Sequence, residues 1–76
     1  MRVREAIIYA IRYGANLAKM DRVDSLRIEG DKFYSSGLWV KYGKQPEVRL
    51  SVHDCLADDW YLMKDGKEFV PDDWRP

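Results

Sequence analysis

The residues able to do chemistry crowd into one short stretch, Ser51-Val52-His53-Asp54-Cys55 and, just after it, Ala57-Asp58-Asp59-Trp60. His53 is the sole histidine and Cys55 the sole cysteine. A Cys–His pair needs both side chains to converge, and near neighbours on one helical turn point apart. The ordinary roles there are a surface residue of a first turn for His53 and a small packing group for Cys55. Asp58 and Asp59 have the residue types of an acid–base pair. They also suit a turn before a strand, where Asp is common. The chain has no glycine-rich phosphate loop and no metal-ligand spacing. The expectation is therefore a protein that is not an enzyme and has no cofactor or metal.

A second set of residues comes from alternation. Leu26 and Ile28 alternate with Arg27 and Glu29, and Leu38, Val40 and Tyr42 with Trp39 and Lys41. Val48, Leu50 and Val52 alternate with Arg49 and Ser51, and Trp60 and Leu62 with Tyr61 and Met63. In strands these sets face opposite ways. One face becomes Leu26, Ile28, Leu38, Val40, Val48, Leu50 and Leu62. The other becomes Arg27, Trp39, Lys41, Arg49, Tyr61 and Met63. Aromatic side chains interleaved with cations suit an interface between copies of the chain. They also suit a nucleotide, with cations on phosphate and a ring stacked on the base, or a single-stranded nucleic-acid platform. A one-residue slip in register would exchange the two faces.

The elements that hold these residues follow from periodicity. Val3, Ala6, Ile7, Ala10 and Ile11 recur at helical spacing, which predicts a helix over 3–13 capped by Gly14. Ile8, Tyr9 and Tyr13 lie off that stripe, so either the sheet or a partner subunit must cover them. Strands are expected over 26–29, 38–42, 48–52 and 59–64, with a short piece at Lys32 to Tyr34. Gly30-Asp31 and Asp65-Gly66 are the turn signals between them. Ser51 and Asp54 form a capping box, which predicts one helical turn over Val52 to Ala57. The fold class is α+β: one N-terminal helix packed on an antiparallel sheet of about four strands, with a short helical turn before the last strand. Residues 1–63 make a single domain, and 64–76 are expected to be an irregular tail.

Composition bounds the rest. The chain has 76 residues, 46% hydrophobic and 34% charged, which fits one small globular domain. Thirteen basic and thirteen acidic residues cancel, which argues against general nucleic-acid binding. The balance is uneven along the chain: net +3 over 1–22, +1 over 23–52 and −4 over 53–76. The N-terminus lacks the apolar core of a signal peptide, and no apolar run is long enough to span a membrane. A cytoplasmic location is expected.

The stretch Ser51-x-x-Asp54-x-Leu56-Ala57-Asp58-Asp59-Trp60, followed by an apolar strand, resembles the closing pattern Ser-x-x-Asp-Leu-Leu-Ala-x-Asp-Trp of the second Thoeris anti-defence family of phages. Their opening Gly-x-x-Val-x-Arg-x-x-Trp corresponds to Gly14 through Arg22, with Leu17 and Lys19 at matching positions and Arg22 in place of Trp. Cys55 stands where the family has Leu, and the segment from Lys64 is additional. The resemblance implies a helix-and-sheet fold assembled as a homo-oligomer, a dimer or tetramer, in the host cytoplasm. It implies sequestration of a small cyclic ADP-ribose-like or cyclic oligonucleotide signal without chemistry. Lys19 has the charge for a phosphate. Tyr9, Arg22, Trp39 and Arg49 join it as candidate ligand-binding residues on the cation–aromatic argument. The alternative is an inhibitor that blocks a host defence enzyme or nuclease through the aromatic–basic sheet face.

Overall fold

The computed structural model describes residues 1–36 and 47–75. Helix α1 spans Val3–Tyr13, as its periodicity requires. The Glu5 carboxylate accepts the Arg2 backbone N–H at 3.0 Å at its start. At its end Gly14 adopts φ 67°, and the N–H of Ala15 reaches back to the Ala10 carbonyl at 3.0 Å. That 6→1 bond closes a left-handed helix terminus, which glycine adopts without a Cβ penalty.

Six antiparallel strands follow: β1 (Asn16–Lys19), β2 (Leu26–Glu29), β3 (Lys32–Ser35), β4 (Glu47–Val48), β5 (Trp60–Lys64) and β6 (Lys67–Phe69). Helix α2 (Val52–Leu56) lies between β4 and β5. The spatial order is β4-β3-β2-β1-β5-β6. The sheet thus has six described strands where about four are expected, and two of the additions carry the topology. Strand β1 sits at the centre, with Leu17 opposite Leu26 on one side and Leu62 on the other. Strand β6 forms within the segment expected to be irregular. It pairs with β5 across a two-residue turn in which Asp65 and Gly66 both have positive φ. Such a turn twists in the same sense as the strands it joins.

The register places Leu17, Leu26, Trp60 and Leu62 on the face covered by α1, each at most 1% exposed. Ala6 and Ala10 of α1 lie against them, and Ile28, Phe33, Val48, Leu50 and Phe69 pack round the margin. Leu26, Ile28, Val48, Leu50 and Leu62 therefore take the inward places that alternation expects. Leu38, Val40, Trp39 and Lys41 lie outside the described residues, as does the strand expected over 38–42. The strand expected over 48–52 is shorter, because Ser51 leaves it to cap α2.

The helix departs from its expected stripe at one position. Ile11 is 64% exposed, whereas Ala6 and Ala10 are buried and Tyr13 is partly covered. With Ala6 and Ala10 seated on the sheet, Ile11 points about 120° away from them and Tyr13 only about 40°. Small side chains at the centre let the helix approach closely and turn its tyrosines inward.

The capping box at α2 forms as expected. The Asp54 N–H donates to Ser51 Oγ, and the Ser51 N–H donates to Asp54 Oδ2, both at 3.1 Å. The start of the chain is tied beside β5, where Trp60 N–H donates to the Met1 carbonyl at 3.0 Å. No described helix is long and apolar enough to cross a membrane.

Candidate functional site

Strand β1 ends in a tight turn in which the Arg22 N–H donates to the Lys19 carbonyl at 3.0 Å. Lys19 pairs with Trp60 across the sheet, so its side chain lies on the α1 face. It is only 3% exposed. A buried ammonium requires counter-charge, and two carboxylates provide it: Asp21 at 2.7 Å and Asp59 at 3.6 Å. The hydrogen bond to Asp21 holds Lys19 above the ordinary lysine value, against the opposing effect of burial. The same bond holds the Asp21 carboxyl below the ordinary carboxylate range. Lys19 is thus a fixed cation, unsuited to act as a base or nucleophile.

Arg22 lies on the other side of the turn. Its guanidinium reaches Asp54 Oδ2 at 3.4 Å, the same oxygen that accepts the Ser51 N–H. That backbone hydrogen bond is the main reason the Asp54 carboxyl lies below its ordinary value, with Ser51 Oγ and Arg22 adding to it. Trp60 Nε1–H donates to the Asp54 carbonyl at 2.8 Å. Ser51, Asp54, Asp59 and Trp60, all positions of the closing motif, therefore form one bonded unit with Lys19 and Arg22.

Beside this unit is an open cavity of about 430 Å³. Asp21, Arg22, Val23 and Asp24 of the β1–β2 turn line it, with Leu26, Ser35 and Val48 from β2, β3 and β4. Ser35 Oγ donates to Asp24 Oδ2 at 3.1 Å, which orients the carboxylate at the wall. The volume lies within the usual range for small-molecule sites. The chemistry is mixed: the apolar side chains of Val23 and Val48, the Asp21 and Asp24 carboxylates, the first of them paired with Lys19, and the Arg22 cation.

The candidate residues thus divide. Lys19 and Arg22 are brought together. Arg22 lines the cavity, while Lys19 is enclosed by carboxylates next to it. Tyr9 belongs to a different contact network: its hydroxyl donates to the Asp73 carbonyl at 3.3 Å, and its ring meets Trp74 edge-on at 6.1 Å. Arg49 is exposed just beyond β4. Trp39 lies outside the described residues. Asp21, Asp24 and Ser35 escape a reading by motif, because each is an ordinary turn or strand residue in sequence. The only local signal is the Lys19-x-Asp21 spacing across a tight turn.

On the outer sheet face, Arg27, Tyr61 and Met63 have the expected orientation. Tyr34 joins them opposite Arg27, whose guanidinium lies 5.6 Å from the ring centre and 2.9 Å from Glu29. His53 and Cys55 are both exposed on α2. Among the described residues, no group of three or more His, Cys, Asp and Glu side chains is arranged to hold a metal ion. The chain matches no protein-family model, and it matches no curated protein and no solved structure.

Proposed function

We propose that the chain is a phage anti-defence protein that sequesters a small cyclic nucleotide-type signal without altering it, working as a homo-oligomer. The observation that carries this reading is the cavity beside Arg22. Its apolar walls suit a base, Asp24 suits ribose hydroxyls or a base amino group, and Arg22 suits a phosphate, which guanidinium binds in a bidentate manner. The closing motif supports it from behind, because Asp54 holds the Arg22 side chain at the cavity. Lys19 then contributes by fixing the turn and Asp21, since its own ammonium is enclosed. Ile8 and Ile11 expose an apolar strip on α1 that supports assembly with further copies.

Titration calorimetry against cyclic ADP-ribose isomers and cyclic di- and trinucleotides tests the reading, with wild type and Arg22→Ala side by side. Saturable binding is expected, at least tenfold weaker in Arg22→Ala, with the ligand recovered unchanged after denaturation. Absence of heat with every ligand, from a folded sample, overturns it. The second reading, an inhibitor of a host defence enzyme or nuclease, draws on Arg27, Tyr34, Tyr61 and Met63 sharing one sheet face. It gains if a stoichiometric host protein is retained and Tyr61→Ala releases it.

A further inference from the structure

The segment beyond β6 is held against α1 by side chains. Asp73 is its anchor: Oδ2 accepts from Arg12 Nη1 at 2.6 Å, and Oδ1 accepts from the Tyr13 hydroxyl at 2.9 Å. Its backbone carbonyl accepts from the Tyr9 hydroxyl. Trp74 lies edge-on to Tyr9, and Pro71 is buried beneath. Tyr9, Arg12 and Tyr13 thus converge three donors on one acidic residue and offer an aromatic wall to the next. Tyr13 in turn packs on Phe69, at 5.3 Å between ring centres.

The docked segment also makes hydrogen bonds of its own. Trp74 N–H donates to the Pro71 carbonyl at 3.1 Å, closing a turn, and Arg75 Nη1 donates to the Asp72 and Trp74 carbonyls. Between Phe69 and Pro71 only Val70 intervenes, so the tail is presented to α1 at an effective concentration on the order of millimolar. A site of modest intrinsic affinity is filled under that condition. The anchoring ion pair is about half exposed on both sides, and such pairs add little by themselves.

We propose that the Tyr9–Arg12–Tyr13 surface of α1 is a recognition site for acidic–aromatic peptide segments, Asp followed by Trp in a turn, which the chain's own residues 71–75 occupy as an internal ligand. A protein partner that presents the same chemistry competes with the tail and docks on α1. This site is separate from the cavity beside Arg22 and stands whether or not that cavity binds a nucleotide.

The test uses the full chain carrying Asp73→Ala and Trp74→Ala, and a labelled peptide of residues 69–75. Fluorescence anisotropy is expected to show saturable binding to this variant. The wild-type chain should bind at least tenfold more weakly, because its own tail fills the site. Adding Arg12→Ala and Tyr13→Phe together to the double variant, which removes both side-chain donors to the Asp73 carboxylate, should weaken binding at least tenfold. Equal binding by wild type and double variant, or none by a double variant with a wild-type circular dichroism spectrum, overturns the proposal. If the double variant unfolds, the wild-type chain decides. Unlabelled peptide at about 10 mM, above the effective concentration of the tail, should shift the Trp74 indole NMR signal towards its free position, and an unmoved signal overturns the proposal.

Discussion

Trp60 Nε1–H donates to the backbone carbonyl of Asp54 at 2.8 Å, joining the first residue of β5 to the middle of α2. The indole is 1% exposed, so this bond ties a five-residue helix, too short to persist alone, to the core. Trp60→Phe keeps most of the packing but leaves a carbonyl without its donor, and should cost about 2 kcal/mol. Trp60→Ala should cost about 3–5 kcal/mol, comparable to the whole stability of a domain this small. Urea unfolding followed by circular dichroism checks both. A loss below about 0.5 kcal/mol for Trp60→Ala would contradict the burial of that ring.

The central strand and the helix give a paired prediction. Leu17 is fully buried between Leu26 and Leu62, and Leu17→Ala should cost about 2–5 kcal/mol. Measured on the monomer, at concentrations too low for copies to assemble, Ile11→Ala should change stability by no more than about 0.5 kcal/mol, because its side chain faces away from the sheet. If the amphipathic stripe read from sequence faced the sheet, the second loss would be several-fold larger. The same unfolding experiment separates the two cases.

Gly14 has φ 67° with nothing within 4 Å of where a Cβ would stand. The cost of Gly14→Ala is therefore conformational, about 1–2 kcal/mol. Gly14→Asn should recover part of it, since Asn tolerates the left-handed region better. Melting temperatures of the two variants should fall in that order.

The Lys19 cluster makes a prediction about a titration. Asp21 is held low chiefly by its hydrogen bond with Lys19. In Lys19→Met that carboxyl should titrate higher, towards the ordinary carboxylate range. A carbon-detected NMR titration of wild type and variant reads this directly. An unchanged Asp21 midpoint would mean that the ion pair does not persist in solution.

The tail clasp should weaken at both ends of the pH scale. The Tyr13 hydrogen bond is the first cause of the lowered Asp73 carboxyl, with Arg12 also favouring its charged form. Its contribution is complete above about pH 3.9 and disappears as pH falls through the lower folded value. Tyr13 is raised, chiefly by the same hydrogen bond, with Asp72 adding to it and Arg12 opposing. Its contribution is complete below about pH 10 and is lost as pH rises through the higher folded value. The Trp74 indole NMR signal should therefore be constant between those limits and move outside them. In Asp73→Asn the acid limb should vanish.

Much of the architecture was legible along the chain, and the candidate site much less so. Strand β1 shows why. Asn16-Leu17-Ala18-Lys19 has no β-branched or aromatic residue, and its lysine reads as a surface group. It becomes the middle strand because β2 and β5, distant in sequence, both pair with it. The cavity wall has the same origin: Asp24, Ser35 and Val48 meet only once β2, β3 and β4 are assembled.

What the sequence determined by itself is whatever depends on near neighbours. Helix 3–13, its glycine terminus, the Ser51–Asp54 box, the turns at 30–31 and 65–66, and the inward parity of Leu26, Ile28, Leu50 and Leu62 all follow from φ preferences and side-chain period. Packing of the assembled elements is what encloses Lys19 between Asp21 and Asp59, leaves Ile11 exposed while Tyr13 turns inward, and closes Asp73 on Arg12. Each of these depends on the rotation of a helix on a sheet, or on charges far apart in the chain. Those quantities exist only when the elements are packed, because a carboxylate sixty-one residues from a guanidinium has no local term that aims it there.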